Sequence, residues 1–384
     1  MRILLASSSS GSHGGGEIFL RYLGEALHAD GHEVALWASE HDRMDDLAQG
    51  FAEFGEVIRS PYRNTYDLRA RSLGASMHNA NRRAAATGWA TWQPDIVHIN
   101  KQNLEDGLDL LNAARDGAIP HLCTIHITQS ARYLRANNAW LRDTLSRCAL
   151  TRYPGLITAV SDRRQQELQS FAGLNGTVRR IYNGIPDVDP VQIPEWRTRC
   201  RADLGIDDDQ MLITMVARMT AQKSPQHFLD AALKIGRRLP QARFLWVGDG
   251  DFSTQWDRWV EDNDMADRIT RLGWQADTRP WFAASDRYLH LAQYEGLPLA
   301  ILEAMRMGLP CFITQSMVDE VEVFRDSPLQ VAHSNGSEDW IGNIEAAGAL
   351  VAPTRRLYEK HFRAEVMAGE FSNIYREAIA QQRA

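Results

Sequence analysis

Short runs of leucine and β-branched residues alternate with longer amphipathic stretches from Met1 to Val160. The apolar runs read as strands, and the three-to-four spacing between them reads as helices covering both faces of a parallel sheet. The predicted strands are Arg2 to Ser7, Glu33 to Ala38, Asp95 to Asn100, His121 to Ile127 and Leu156 to Val160. Between the first two, Ile18, Leu20, Tyr22, Leu23, Ala26 and Leu27 recur at helical spacing over Glu17 to about Ala29, and Gly31 supplies the stop. The chain therefore opens as a βαβ unit.

The alternation pauses where Pro186, Asp187, Asp189, Pro190 and Pro194 crowd a stretch that suits neither a helix nor an inner strand. It resumes with strands Leu212 to Ala217, Arg243 to Val247, Ile269 to Leu272, Tyr288 to Leu291 and Cys311 to Thr314, all but the last followed by a helical pattern. The expected organisation is two α/β domains, 1–186 and 196–355, joined by a linker at 187–195. Leu357, Tyr358, Phe362, Val366, Met367, Phe371, Ile374 and Tyr375 make the tail from about Thr354 to Gln382 a helix, with 356–384 set apart from both domains.

Composition narrows the class. A chain of 384 residues with 44% apolar and 24% charged side chains is long enough for two ordinary cores. Its 42 Lys and Arg against 49 Asp and Glu leave a net charge of −7, which argues against nucleic-acid binding and requires any anion site to be local. Cys123, Cys148, Cys200 and Cys311 stand too far apart for a zinc pattern or a dense disulfide framework, and a reducing cytoplasm suits them. No apolar run reaches the length of a membrane-spanning helix, and Ile3 to Ala6 is too short for the apolar part of a signal peptide.

Ligands of open parallel sheets collect at the carboxyl ends of the strands, so the loops there carry the candidate chemistry. After the first strand, Gly11-Ser12-His13-Gly14-Gly15-Gly16-Glu17 runs into a helix whose free N–H groups suit an anion or a sugar; the other reading is a flexible turn that permits tight packing. Its spacing is not that of a dinucleotide fingerprint. Arg218 and Lys223 flank a helix start at Ser224-Pro225, where they either neutralise a diphosphate together or are solvated or paired with nearby carboxylates. Glu295-Gly296-Leu297-Pro298 leads into a helix containing Glu303, with Pro298 in its first turn and the N–H groups of Leu299 and Ala300 open to an anion. Glu303 and Glu295 either meet ligand hydroxyls or are a solvated and a capping carboxylate. Asp249-Gly250-Asp251 reads as a turn, because no third ligand stands nearby, and no metal site is expected. His126 ends a buried strand, where structural and reactive roles are both open.

In order and spacing these segments resemble the retaining glycosyltransferases of family 4, over most of the chain. The resemblance is carried by Gly14-Gly15-Gly16-Glu17 with Gly31-His32-Glu33-Val34, Asp95-Ile96-Val97-His98, Thr124-Ile125-His126, Val160-Ser161 and Tyr182-Asn183-Gly184-Ile185. In the second half it is carried by Arg218 with Lys223, Val247-Gly248-Asp249-Gly250, Leu272-Gly273-Trp274, and Glu295 with Glu303. It implies a GT-B architecture, two Rossmann-like α/β domains facing a central cleft, the first for acceptor and the second for donor, with the C-terminal helix crossing back to the first. The implied activity moves a hexosyl-type sugar from a nucleotide diphosphate sugar to a hydroxyl of a glycan, lipid-linked or small-molecule acceptor, with no cofactor beyond the donor and no metal.

Carried over position by position, the resemblance puts Arg218 and Lys223 on the donor diphosphate, Glu303 on the ribose hydroxyls and Glu295 on the transferred sugar. Backbone at Leu299 and Ala300 would meet phosphate, Gly273 and Trp274 the base, Gly14, Gly15 and Gly16 phosphate or acceptor, and His126 the reacting sugar. Two departures stand out: Ser316-Met317-Val318-Asp319-Glu320 replaces the usual Gly-Gly-x-x-Glu, and Glu295-Gly296-Leu297-Pro298 replaces Glu-Gly-Phe-Gly. The competing readings are a nucleotide-sugar epimerase, a phosphorylase, or an inactive sugar-nucleotide-binding partner protein.

Arg59, Arg63, Arg69, Arg71, Arg82 and Arg83 face only Asp67 within residues 59–83, a basic stretch in an acidic protein. Two readings are open: a site for an anionic membrane or the phosphate of a lipid-linked acceptor, or the solvated face of a helix. A cytoplasmic place, with peripheral contact at the inner face of the membrane, is the expectation.

Overall fold

The computed structural model describes residues 1–11, 14–68, 70–77, 79–174, 176–332 and 339–383. Two units divide the chain, Met1–Pro186 with Arg363–Ala384, and Asp187–Phe362. In the first, β1 (Arg2–Ser7), β2 (Glu33–Ser39), β3 (Glu56–Ser60), β4 (Ile96–Asn103), β5 (His121–Ile127), β6 (Leu156–Ala159) and β7 (Val178–Arg180) form a parallel sheet in the order β3-β2-β1-β4-β5-β6-β7. The register pairs Ala6 of β1 with Trp37 on one side and Ile99 on the other. Alternation sends Leu4 and Ala6 into one core and Ile3 and Leu5 into the other. Burial on both faces explains why these strands are apolar throughout.

In the second unit, β8 (Met211–Val216), β9 (Ala242–Val247), β10 (Ile269–Arg271), β11 (Arg287–His290), β12 (Cys311–Ile313) and β13 (Gln330–Val331) pair in the order β10-β9-β8-β11-β12-β13. One face packs Met215, Phe228, Trp246 and Trp256 together. Both sheets reverse direction of growth between their first and fourth strands, the Rossmann arrangement.

The strands absent from the sequence reading are β3, β7 and β13, all at or near sheet edges. Edge strands are short and half-exposed, so they lack the continuous apolar run that marks inner strands. Two other features differ from expectation. The stretch 187–195 lies in the second unit, and the helix Gln192–Asp203 begins within it. Pro194 is accommodated there because the first turn needs no intrahelical N–H.

The tail is two helices, not one. Val351–His361 belongs to the second unit and Ala364–Arg383 to the first. The chain breaks at Phe362, which is buried against Phe324, and the Ala364 N–H then bonds the Ile185 carbonyl at 2.9 Å. Each half keeps its own apolar stripe, so periodicity runs through the break unnoticed. Met367, Phe371 and Tyr375 join the core of Ile3 and Leu5, and the Tyr375 hydroxyl lies 2.8 Å from His98 Nδ1. Among the described residues no helix is long and apolar enough to cross a membrane.

Candidate active site

Strand order reverses between β8 and β11, the place in an open parallel sheet where ligands gather beyond the carboxyl ends of the strands. Three hydrogen bonds tie together the loops that leave these two strands: Gln222 Nε2 to the Tyr294 carbonyl (2.9 Å), Gln293 N–H to the Gln222 carbonyl (2.9 Å) and Gln293 Nε2 to the Ala221 carbonyl (3.2 Å). The tie sets Lys223 Nζ on Glu295 Oε1 as an ion pair whose side chains are only 14% and 9% exposed. Lys223 is thus paired with a carboxylate, while Arg218 is exposed. Burial, reinforced by the Arg218 guanidinium, pushes the Lys223 ammonium down to about 7; contact with Glu295 opposes that shift.

His290, at the end of β11, was not singled out by sequence. It is wholly buried, with Nε2 3.8 Å from Glu295 Oε1 and Nδ1 3.0 Å from the Tyr288 hydroxyl. Burial, then the Lys223 charge, holds its pKa well below the ordinary histidine value, so the ring is neutral beside the ion pair. Its one legible signal is that it lies within a predicted strand, the same signal that marked His126.

The helix Leu299–Arg306 starts one residue later than the sequence suggests, with Pro298 as its N-cap at φ −70° and ψ 126° and no side chain capping it. The N–H groups of Leu299 and Ala300 precede the first intrahelical acceptors and point out of the helix start. Glu303 sits within this helix, half-buried, accepting from Thr278 Oγ1 at 3.5 Å. Burial raises its pKa against the pull of Arg306.

Beyond β9 and β10 the chain closes a tight turn. The Gly248 N–H donates to the Gly273 carbonyl at 2.8 Å, and Asp249 Oδ2 accepts from the Trp274 N–H at 2.7 Å. Gly273 has φ +73°, and a Cβ there would stand 3.1 Å from the Asp249 carboxylate. Asp249 is therefore engaged in the turn, and the Trp274 indole is left 54% exposed beside it. Among the described residues no group of three His, Cys, Asp or Glu side chains gathers as a metal site. The Ser316 segment forms a one-turn helix, Gln315–Val318, in which the Ser316 and Thr314 hydroxyls are 2.9 Å apart.

In the first unit Gly14 is the N-cap of helix Gly15–Ala29, so Gly15 and Gly16 form its first turn rather than a free loop. Ser12 and His13 lie outside the described residues. Gln102 fills the space a Gly16 side chain would need. Asn100 Nδ2 donates to the Gly16 carbonyl (2.9 Å), which leaves Asn100 Oδ1 to accept from His126 Nε2 (2.7 Å). That bond assigns the proton to Nε2 and the lone pair to Nδ1. Burial pushes the His126 pKa down to about 4, so the ring is neutral at physiological pH.

A second feature escaped sequence reading altogether. Lys101 and Asp106, both wholly buried and 3.8 Å apart, join the loops after β1 and β4: Asp106 accepts from the Ser8 hydroxyl and from the Gln102 and Asn103 N–H groups at 2.9 and 3.1 Å. Nothing in local spacing announces such a pair. Of the arginines in 59–83, Arg59 is paired with Asp45 (2.9 Å) and Arg82 with Asp116; Arg63, Arg71 and Arg83 are exposed, and Arg69 lies outside the described residues.

Residues 13–188 match the family model described as Glycosyltransferase Family 4, and residues 210–349 the model described as Glycosyl transferases group 1. Over 114 residues the chain is 36% identical to the UDP-Gal:alpha-D-GlcNAc-diphosphoundecaprenol alpha-1,3-galactosyltransferase of Escherichia coli, covering 29% of this chain and 30% of that protein. It is 25% identical over 231 residues to the N-acetyl-alpha-D-glucosaminyl L-malate synthase of Bacillus anthracis, covering 58% and 60%. The chain thus matches less than two thirds of the length of these curated relatives. Among solved structures it superimposes on sucrose-phosphate synthase from Thermosynechococcus elongatus with a TM-score of 0.78 at 18% identity, covering 99% of this chain and 100% of that one. It superimposes on Anabaena HepE in complex with UDP-glucose with a TM-score of 0.74 at 16% identity, covering 97% and 98%. At such identities the structures speak for the fold.

Proposed function

The chain belongs to the family-4 type of GT-B glycosyltransferases, and from that premise we propose that it moves a sugar from a nucleoside diphosphate donor to an acceptor hydroxyl with retention of configuration. The observation that carries this reading is the Lys223–Glu295 pair at the β8/β11 crevice, within the same unit as exposed Arg218 and the open helix start at Leu299. Cleaving a glycosyl phosphate leaves negative charge on the diphosphate while positive charge grows on the sugar. A fixed lysine, an arginine and helix N–H groups stabilise the first, and a carboxylate beside them suits the second.

In this reading Arg218 and Lys223 hold the diphosphate, Leu299 and Ala300 offer backbone N–H groups to it, Glu303 receives the ribose hydroxyls and Glu295 the transferred sugar. Trp274, exposed after Gly273, offers a face to the base. His126 is assigned to the reacting sugar, where its Nδ1 lone pair accepts from a hydroxyl rather than donating to it. Gly14 to Gly16 are assigned to the acceptor side. Departing phosphate takes the proton of the attacking hydroxyl on the same face of the sugar, so no metal and no covalent enzyme intermediate is required. Uridine donors are the first choice, since the E. coli relative is named for UDP-Gal and HepE was solved with UDP-glucose.

Calorimetry with UDP-, GDP- and ADP-sugars tests the donor half. Binding of one nucleotide series, lost in Arg218→Ala and Glu303→Ala, is the expected result; no binding of any of them would sink the reading. Donor consumption that needs an added acceptor separates transfer from epimerisation.

A further inference from the structure

The Lys223–Glu295 pair leaves a polar atom beside it unused. His290 Nε2 is buried 3.8 Å from Glu295 Oε1 and makes no hydrogen bond among the described residues. A buried ring nitrogen without a partner costs stability, so its place here needs a reason. What lies behind the ring assigns its proton. The Tyr288 hydroxyl, 3.0 Å from Nδ1, accepts from the Val216 N–H and keeps its own hydrogen for Nδ1, which puts the imidazole proton on Nε2, facing Glu295. The opposite tautomer would leave the buried hydroxyl hydrogen without an acceptor among the described residues and turn a lone pair toward a carboxylate.

The three groups differ in their freedom to move. His290 is held in β11, where its backbone pairs with Ile313 of β12. The tie between Gln222 and Gln293 steadies the loop from which Glu295 projects. Lys223 ends a flexible chain that is 14% exposed, so its ammonium can leave the pair while both loops stay in place.

We propose that His290 is a positioning residue that takes over the Glu295 carboxylate when the Lys223 ammonium turns to the donor diphosphate. This rests on the assignment of Lys223 to the diphosphate and Glu295 to the transferred sugar. A carboxylate only 9% exposed needs another hydrogen-bond donor once the ammonium is drawn away, and a small rotation of the Glu295 side chain closes the 3.8 Å gap to the Nε2 proton. The imidazole is neutral, because burial and then the Lys223 charge both lower its pKa. It therefore steadies the carboxylate without cancelling the negative charge that faces the sugar as positive charge grows there. A neutral N–H replaces an ammonium only in part, so the ion pair stays the stronger contact.

Nuclear magnetic resonance of the full chain with nitrogen-labelled histidine observes the His290 Nε2 proton directly, identified by its loss in His290→Gln. In Lys223→Met, which removes the ammonium without any donor, this proton should move downfield, and the move should vanish when Glu295→Ala is added. UDP-glucose, GDP-mannose or ADP-glucose, whichever binds the wild type, should produce the same shift. In turnover, His290→Phe should lower kcat about ten- to a hundredfold, the worth of a hydrogen bond to a charged group, with KM for the donor changed less than about threefold. His290→Gln, whose amide keeps an N–H at about the reach of Nε2, should recover most of that loss. A loss shared equally by the two His290 variants marks a merely structural role and would overturn the proposal. So would an unmoved proton in Lys223→Met, or a nucleotide sugar that binds without moving it. If none of the three sugars binds while the shift persists in Lys223→Met, the donor assignment fails and the exchange between Lys223 and His290 stands.

Discussion

Glu295→Gln keeps the shape of the side chain and removes the charge against which Lys223 is packed. With the two side chains only 9% and 14% exposed, the stranded ammonium regains little hydration. Breaking a buried pair from one side costs about 3–5 kcal/mol, and the remaining exposure together with the retained amide oxygen places the expectation at about 3 kcal/mol. In a unit of this size that lowers the unfolding midpoint by about 6–12 °C. Lys223→Met strands the carboxylate instead and should cost a similar amount, because neutral His290 at 3.8 Å offers it no charge. The double variant strands neither group, so the two losses should fall short of additive by about 2 kcal/mol. The pH dependence has a definite sign. Without Glu295, burial and Arg218 alone act on Lys223, and both lower its pKa from the ordinary 10.5. The unfolded lysine then keeps a proton that the folded one has released, so the stability of Glu295→Gln should rise with pH between about 7 and 10.5, more steeply than that of the wild type. Urea unfolding followed by circular dichroism across that range measures both effects. Single losses that add to within about 0.5 kcal/mol, or a stability that falls with pH in the Glu295→Gln variant, would refute the reasoning.

Glu303→Ala should weaken donor binding by about ten- to a hundredfold in calorimetry, and Glu295→Ala should mainly lower turnover, since the first is assigned to the ribose and the second to the reacting sugar. Arg218→Ala should reduce kcat/KM about a hundredfold while EDTA leaves the wild type active; activity abolished by EDTA and restored by Mn²⁺ would contradict charge neutralisation by fixed cations. Gly248→Ala should cost about 3 kcal/mol or more, because Gly248 has φ +133° and its Cβ would be driven into the Ala217 carbonyl, which cannot yield; a midpoint within a degree of wild type would argue against this turn. His126, whose burial lowers its pKa to about 4, binds a proton in the unfolded chain that the folded one refuses, so stability should rise by about 3 kcal/mol from pH 4 to 6.5, and a flatter profile in His126→Gln would check it.

The inner strands were legible in the sequence because a strand buried on both faces must be apolar along its length, and β1 and β5 run between the very residues the pattern marks. The edge strands β3, β7 and β13 were not, since a half-solvated strand has no such run to show. Helical periodicity marked the tail but passed over its break, as Phe362 continues the apolar stripe while leaving the helix. At the candidate site, the positions of Arg218, Lys223 and Glu295 in the loops at strand ends and helix starts, and of Glu303 within the helix that follows Pro298, could be read from glycine, proline and charge. Their partners could not. Local spacing left Lys223 open to solvent, diphosphate or carboxylate, and the pairing with Glu295 arises only when the crossovers set β8 beside β11 and glutamines 222 and 293 clamp the two loops. The neutral state of His290 and the burial of the Lys101–Asp106 pair belong to the tertiary structure for the same reason: His290 is enclosed beside Lys223, and Asp106, though only five residues from Lys101, is closed in by Ser8 from the far end of the unit's sequence. The sequence by itself determined which segments become sheet and which ends carry charge; folding decided which charges meet.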